Sequence, residues 1–314
     1  MFAVAKLKTM TVISKPVLRL KKLSKFYGKF KGVEDLDLTI YKGEVFGFLG
    51  PNGAGKTTAI RTIMNFLRPT SGSAVVLGYD SVKNTTEVKA KVGYLAGDFE
   101  MYDNLTGREY LSFIAHLRKA DKPDEQIKQL AAELDAPLDR KISTLSRGNM
   151  QKIALISALL HDPDILILDE PTTGLDPLMQ NQFYKLVRER TKRGKTVFMS
   201  SHILSEVQTI CDRVAFMKDG KLVEVVDVNK ARRNKKKEVS LKIETGKKIS
   251  KLPSFKNLEV IKNTKTELRF VTAEPSKTLL KWLAQQPADD ISIQSVSLED
   301  MFLNLYGKSG VDHV

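Results

Sequence analysis

The octapeptide Gly50-Pro51-Asn52-Gly53-Ala54-Gly55-Lys56-Thr57 fills the pattern G-x-x-x-x-G-K-[ST] at every fixed position. An apolar run, Val45–Leu49, comes before it, and the helix-like Thr58-Ala59-Ile60-Arg61-Thr62-Ile63-Met64 follows. Strand, glycine-rich turn and helix in that order are a unit of a parallel α/β sheet. The glycines permit a tight turn that aims successive N–H groups inward, and the helix adds its positive N-terminal end. Such a nest holds phosphate. Asn52, Gly53, Ala54, Gly55 and Thr58 form its wall, Lys56 is placed to reach the β- and γ-phosphates, and the Thr57 hydroxyl to hold Mg²⁺. By itself the loop fits a GTPase, a kinase or a DNA motor equally well.

Two further apolar runs narrow the choice. Ile165-Leu166-Ile167-Leu168 has apolar residues on both faces, as a buried parallel strand requires, and it delivers Asp169 and Glu170 at its carboxyl end. Asp169 suits a Mg²⁺ partner. Glu170 suits the residue that orients or deprotonates an attacking water. Thr196-Val197-Phe198-Met199 leads through Ser200-Ser201 to His202. A neutral imidazole at that same sheet edge can donate to a γ-phosphate and to the attacking water. His116, His161 and His313 have no such setting and receive no role. The bland readings are a helix cap for Glu170 and a structural ring for His202.

With these residues in place the chain closely resembles the ATP-binding cassette (ABC) family. Leu145-Ser146-Arg147-Gly148-Asn149 is similar to the family's signature motif, Gly174-Leu175-Asp176-Pro177 to its D-loop, and His202 to its switch histidine. Tyr27, in Lys25-Phe26-Tyr27-Gly28, is similar to the aromatic residue that stacks on adenine. The resemblance spans about Val17 to Val226. It implies ATP with Mg²⁺ as ligands, ATP hydrolysis, and a P-loop NTPase cassette with a mainly parallel sheet, an antiparallel β portion and a helical subdomain at about 88–160. It also implies a head-to-tail dimer that sandwiches two ATP molecules between each loop and the opposite Ser146, Gly148 and Asp176. Two motifs depart from the family pattern. Arg147 and Asn149 stand where a glycine and the glutamine are usual, and Gly97 stands where the Q-loop glutamine is usual, with Asp98 as its candidate substitute.

The rest of the chain sets the boundaries. Its 314 residues exceed what one core usually fills. A 1–16 extension precedes the 17–226 cassette. A basic linker at 227–237, a small α+β domain at 238–307 and a 308–314 tail follow it. The single cysteine, Cys211, can form neither an internal disulfide nor a zinc site. The composition, 42% hydrophobic and 28% charged, is that of a globular protein, and no apolar run approaches the roughly eighteen residues of a membrane span. The net charge of +14 is concentrated late, around Arg232, Arg233, Lys235–Lys237, Lys247, Lys248, Lys251 and Lys256. A solvated face or a position beside an anionic membrane explains such a run, and nucleic acid is the third explanation.

The signature variant, Tyr102-Asp103-Asn104-Leu105-Thr106-Gly107-Arg108-Glu109 and Ser297-Leu298-Glu299-Asp300-Met301-Phe302 together resemble the ABC-2 exporter branch. That resemblance implies a separate membrane permease as partner, a second copy or a paralogous ATPase subunit in the dimer, and a place on the cytoplasmic face of the membrane. The region from Ala96 to Arg118 would pass motion to the permease. A cassette acting on nucleic acid or ribosomes is the rival, but it needs a second motif set, a long coiled coil or zinc cysteines. None is present in this sequence, so nucleic acid is not an expected partner. A scaffold that uses ATP only as a dimerisation switch is a third class.

Overall fold

The computed structural model describes residues 15–233, 236–243, 246–247, 249 and 252–295. The expectations for Met1–Ser14, Ser297–Phe302, the 308–314 tail, Lys235, Lys248, Lys251 and His313 lie outside the described residues. The chain divides between Val225 and Val226 into two compact units.

The first unit carries two sheets. β1 (Pro16–Tyr27), β2 (Phe30–Tyr41), β4 (Ser71–Val76) and β5 (Tyr79–Asp80) form an antiparallel sheet in the order β2-β1-β4-β5. β3 (Val45–Leu49), β6 (Val92–Leu95), β7 (Ile165–Asp169), β8 (Thr196–Ser201), β9 (Arg213–Lys218) and β10 (Lys221–Asp227) form the other, in the order β10-β9-β3-β8-β7-β6. Neighbours from β9 to β6 run parallel. Every residue of β3, β7 and β8 is buried. That is why these strands read as unbroken apolar runs rather than alternating ones. Phe48 and Phe198 meet edge to face at 5.4 Å in the core they share.

Helices α1 (Lys56–Ile63), α2 (Thr85–Lys91), α3 (Gly107–Leu117), α4 (Pro123–Glu133), α5 (Arg147–Leu159), α6 (Pro177–Lys192) and α7 (Leu204–Ile210) complete this unit. The interval from 88, expected to be helical, also contains β6 directly after α2, and this strand closes one edge of the core sheet. Its four residues, Val-Gly-Tyr-Leu, are too few to show a period. On α3 the helical spacing of Leu111, Ile114 and Leu117 does not by itself decide which residues are covered. Leu111 and Ala115 are buried, whereas Leu117 is 65% exposed.

The stretch read as a linker contains a short helix, α8 (Val228–Arg233). The second unit is a four-stranded antiparallel sheet, β12-β13-β11-β14, made of β11 (Lys237–Ile243), β12 (Glu259–Asn263), β13 (Glu267–Thr272) and β14 (Ala288–Ser295), with α9 (Ser276–Leu283). Val239, Leu241, Leu268, Phe270, Leu279 and Trp282 form its core. This is an α+β arrangement. Its edge strand β12 is exposed at every residue, so the apolar Val260 and Ile261 there do not mark a buried face.

Candidate functional site

β3 ends at the glycine-rich loop, and the Gly50 N–H donates to the Ser201 carbonyl at 3.3 Å, pinning the loop to the end of β8. Gly53 and Gly55 hold φ of 80° and 96°, in the left-handed region. At Gly55 space forbids a side chain as well, since a Cβ would stand 2.5 Å from the Gly32 carbonyl oxygen. Helix α1 starts directly after it, so the amides of Lys56, Thr57 and Thr58 open its first turn. An open cavity of about 320 Å³ lies here, lined by Tyr27, Asn52, Gly53, Gly55, Lys56, Thr57, Thr58 and Glu170, and also by Lys31 and Gly32. Ala54 points away from it into the core. The Tyr27 ring is 45% exposed, with the Lys25 ammonium 5.4 Å from its centre. It is therefore free to stack on a flat ligand.

Lys56 is buried, at 5% exposure. Its Nζ donates to the Gly50 carbonyl at 2.8 Å and the Pro51 carbonyl at 3.1 Å, and stands 3.5 Å from Glu170 Oε1. His202 Nδ1 lies 3.2 Å from that same oxygen. Residues 56, 170 and 202 thus converge on one carboxylate at the rim where β3, β7 and β8 end. Ligands bind at that edge of a parallel sheet. Glu170 has φ of 49°, which costs a non-glycine residue about 1–3 kcal/mol unless the surroundings hold it. The hold comes from Ser200, whose hydroxyl accepts the Glu170 N–H at 3.0 Å and donates to Asp169 Oδ1.

Asp169 is almost wholly buried, yet its Oδ2 has no hydrogen-bond partner. An ionised carboxylate oxygen left so is costly unless a cation faces it. Beside it is Gly97, where a Cβ would stand 3.3 Å from Asp169 Oδ2. Tyr94 feels the charge too: burial first, then Asp169, pushes its phenol pKa up. The residue of this segment that approaches the carboxylate is therefore Gly97. Asp98 is exposed, and no described contact joins it to Asp169. Among the described residues no group of three His, Cys, Asp or Glu side chains could hold a metal unaided. The donors present fit a cation that takes part of its shell from phosphate oxygens and water, as Mg²⁺ does.

Ser146 caps α5, its hydroxyl accepting the Asn149 N–H at 3.3 Å, and Asp176 caps α6 through the Met179 N–H at 2.9 Å. Both side chains therefore act as helix caps, whatever else they do. Gly148 is pressed against the D-loop: a Cβ there would stand 2.6 Å from the Gly174 carbonyl oxygen. Neither Ser146, Gly148 nor Asp176 lines the cavity at Lys56. The first turn of α5 thus lies apart from the cavity formed by the glycine-rich loop of the same chain.

Several contributors had no local signal. Lys31 enters the cavity from the antiparallel sheet, and Ser200 links the Asp169 carboxylate to the Glu170 backbone N–H, some thirty residues before it in the chain. The buried Gln151 Nε2 donates to the Pro171 carbonyl at 2.8 Å, tying the signature helix to the segment after β7. The pair Ser200-Ser201 ahead of His202 was the only visible hint.

The family model described as ABC transporter matches residues 33–173. The chain is 40% identical over 198 residues to the ABC transporter ATP-binding protein NatA of Bacillus subtilis (strain 168), covering 62% of this chain and 80% of that protein. It is 33% identical over 303 residues to the uncharacterized ABC transporter ATP-binding protein YhcH of the same organism, covering 94% and 97%. Among solved structures, an ATP-binding subunit of an ABC transporter is similar with a TM-score of 0.65 and 27% identity, over 69% of this chain and 92% of that one.

Proposed function

The chain belongs to the ABC transporter family as an ATP-binding and ATP-hydrolysing subunit, and we propose that it powers an ABC-2 type exporter through a separate membrane permease. In this reading it closes head to tail on a second cassette, its own copy or a paralogue, over two ATP molecules. The observation that carries the hydrolytic part of this reading is the convergence of Lys56 and His202 on one oxygen of Glu170.

Each residue has a physical task. The amides from Gly53 to Thr58 hold the β- and γ-phosphates, and Lys56 turns from the Gly50 and Pro51 carbonyls to the more strongly charged oxygens. Tyr27 stacks on the adenine. Glu170 takes the proton of the attacking water, with His202 orienting it and donating to the γ-phosphate. Mg²⁺, held by the Thr57 hydroxyl and Asp169, would neutralise charge on the phosphates when bound. Ser146, Gly148 and the first turn of α5 serve the nucleotide of the opposite cassette, because they lie away from their own loop. Asp176 shapes the loop between the two cassettes. Arg147, exposed at the start of α5, brings a cation to the same place.

An exposed apolar face supports a permease partner. Tyr102 and Phe113 meet edge to face at 5.8 Å and remain 57% and 43% exposed, with Leu117 on the same helix. No helix among the described residues is long and apolar enough to cross a membrane. The test is size-exclusion chromatography of Glu170→Gln with ATP and Mg²⁺. A stable dimer is expected, and a monomer at every concentration would overturn the sandwich.

A further inference from the structure

Glu206 lies in the first turn of α7 and is 4% exposed. A carboxylate so deeply buried needs partners, and both of its oxygens have one. Oε1 accepts from the Thr172 hydroxyl at 2.6 Å, and Oε2 accepts from the Ser201 hydroxyl. Thr172 stands two residues after Glu170, and Ser201 immediately precedes His202. The Ser201 hydroxyl also accepts the Ile203 N–H at 2.9 Å, so both neighbours of His202 are tied to one another. A single buried group therefore grips the two chain segments whose side chains meet at Glu170 and His202.

We infer that Glu206 is a positioning residue for ATP hydrolysis, a buried clasp that joins Thr172 to Ser201 and so keeps Glu170 and His202 in register. The inference rests on the proposed roles of those two residues. Geometry gives the clasp its importance. A base works only within about 2.6–3.2 Å of the proton it takes, and Glu170 sits in a backbone conformation that its surroundings must maintain. On the far side the Gln151 amide fixes Pro171, so the segment from 170 to 172 is held from two directions. Three groups face Glu206 electrostatically. Glu170 and His202 act on it with opposite signs, and Tyr184 on α6 is pushed up to about 12 by burial and then by the Glu206 charge. Burial raises the Glu206 carboxyl, and the Ser201 and Thr172 hydroxyls pull it back.

The test uses ATP turnover of the full chain. Thr172→Val removes one hydroxyl at nearly constant volume, Ser201→Ala removes the other, and Thr172→Ser keeps the donor. Thr172→Val should lower kcat roughly tenfold or more, with KM for ATP within about twofold of the parent. Thr172→Ser should restore most of that kcat. The Thr172→Val/Ser201→Ala double variant should lose little more than the worse single one, because either change opens the same clasp. Parent kcat in Thr172→Val overturns the inference. So does a rise in KM that accounts for the whole loss, or two losses that simply multiply. Unchanged turnover in Glu170→Gln is a separate result, since it would remove the assignment of the base.

Discussion

In the cassette, β3, β7 and β8 are buried at every residue, and each hands a polar or glycine-rich segment to the same rim. In the C-terminal unit β11 buries Val239, Leu241 and Ile243 but turns the residues between them outward, and its neighbours run antiparallel. Parallel strands bring all their carboxyl ends to one edge, so Lys56, Asp169, Glu170 and His202 come together from distant parts of the sequence. Antiparallel strands alternate their ends, and the polar groups described there, such as Glu238, Glu267 and Arg269, lie across the face of the sheet. The first unit concentrates charge at a rim, whereas the second is organised around Phe270, Phe255 and Trp282. Chemistry is therefore expected to depend on the first unit and to be insensitive to the packing of the second.

The sharpest attack on that contrast is Glu170→Gln. It should cut ATP turnover by about 10²–10⁴-fold while leaving nucleotide binding intact, as read by steady-state hydrolysis beside equilibrium titration. Phe270→Ala should destabilise the C-terminal unit by about 3–5 kcal/mol without moving KM for ATP. A large change in KM in that variant would break the separation between the units. Lys56→Ala should weaken ATP binding by about 2–5 kcal/mol, since it removes the buried positive charge that faces the phosphates. Calorimetric titration giving parent affinity would remove Lys56 from the phosphate site. Ser146→Ala should cost the cassette about 1 kcal/mol as a lost helix cap. Turnover falling much further than that stability loss explains would show the hydroxyl at work on a nucleotide.

The smallest effect concerns pH. Burial, and then the Arg118 charge, pushes His161 down to about 4 from an ordinary 6.5. Between those two values the unfolded chain holds the proton and the folded one does not, so stability falls as the pH drops through this window. The ring keeps some contact with solvent, which softens the effect. His161→Gln should flatten the acid slope of the cassette's melting temperature and leave that of the C-terminal unit alone. Equal slopes in parent and variant would count against it.

Much of the site was legible because its signals are local. A glycine run with one lysine and one threonine, or two carboxylates at the end of an apolar run, needs only a few consecutive residues. Readings that depended on longer-range packing fared less well. The four residues of β6 gave no period, Leu117 kept the helical spacing yet faces outward, and the stretch read as a basic linker includes a helix at Val228–Arg233. A chain alone does not say which side of a helix another element will cover.

From its order of residues the chain determined a phosphate-binding turn, a pair of acids and a histidine at strand ends, and a second, small α+β domain. Backbone preference and hydrophobic period act over a handful of residues, and these features are of that size. Only the tertiary structure decided that Ser200 would bridge Asp169 and Glu170, that Gly97 would stand against Asp169, and that Glu206 would tie Thr172 to Ser201. Four of those five pairings span thirty residues or more, and Ser201–Glu206 depends on how α7 leaves the sheet. Burial then makes the Ser200, Thr172, Ser201 and Glu206 side chains find partners, because a polar atom shut away from water is too costly to leave alone.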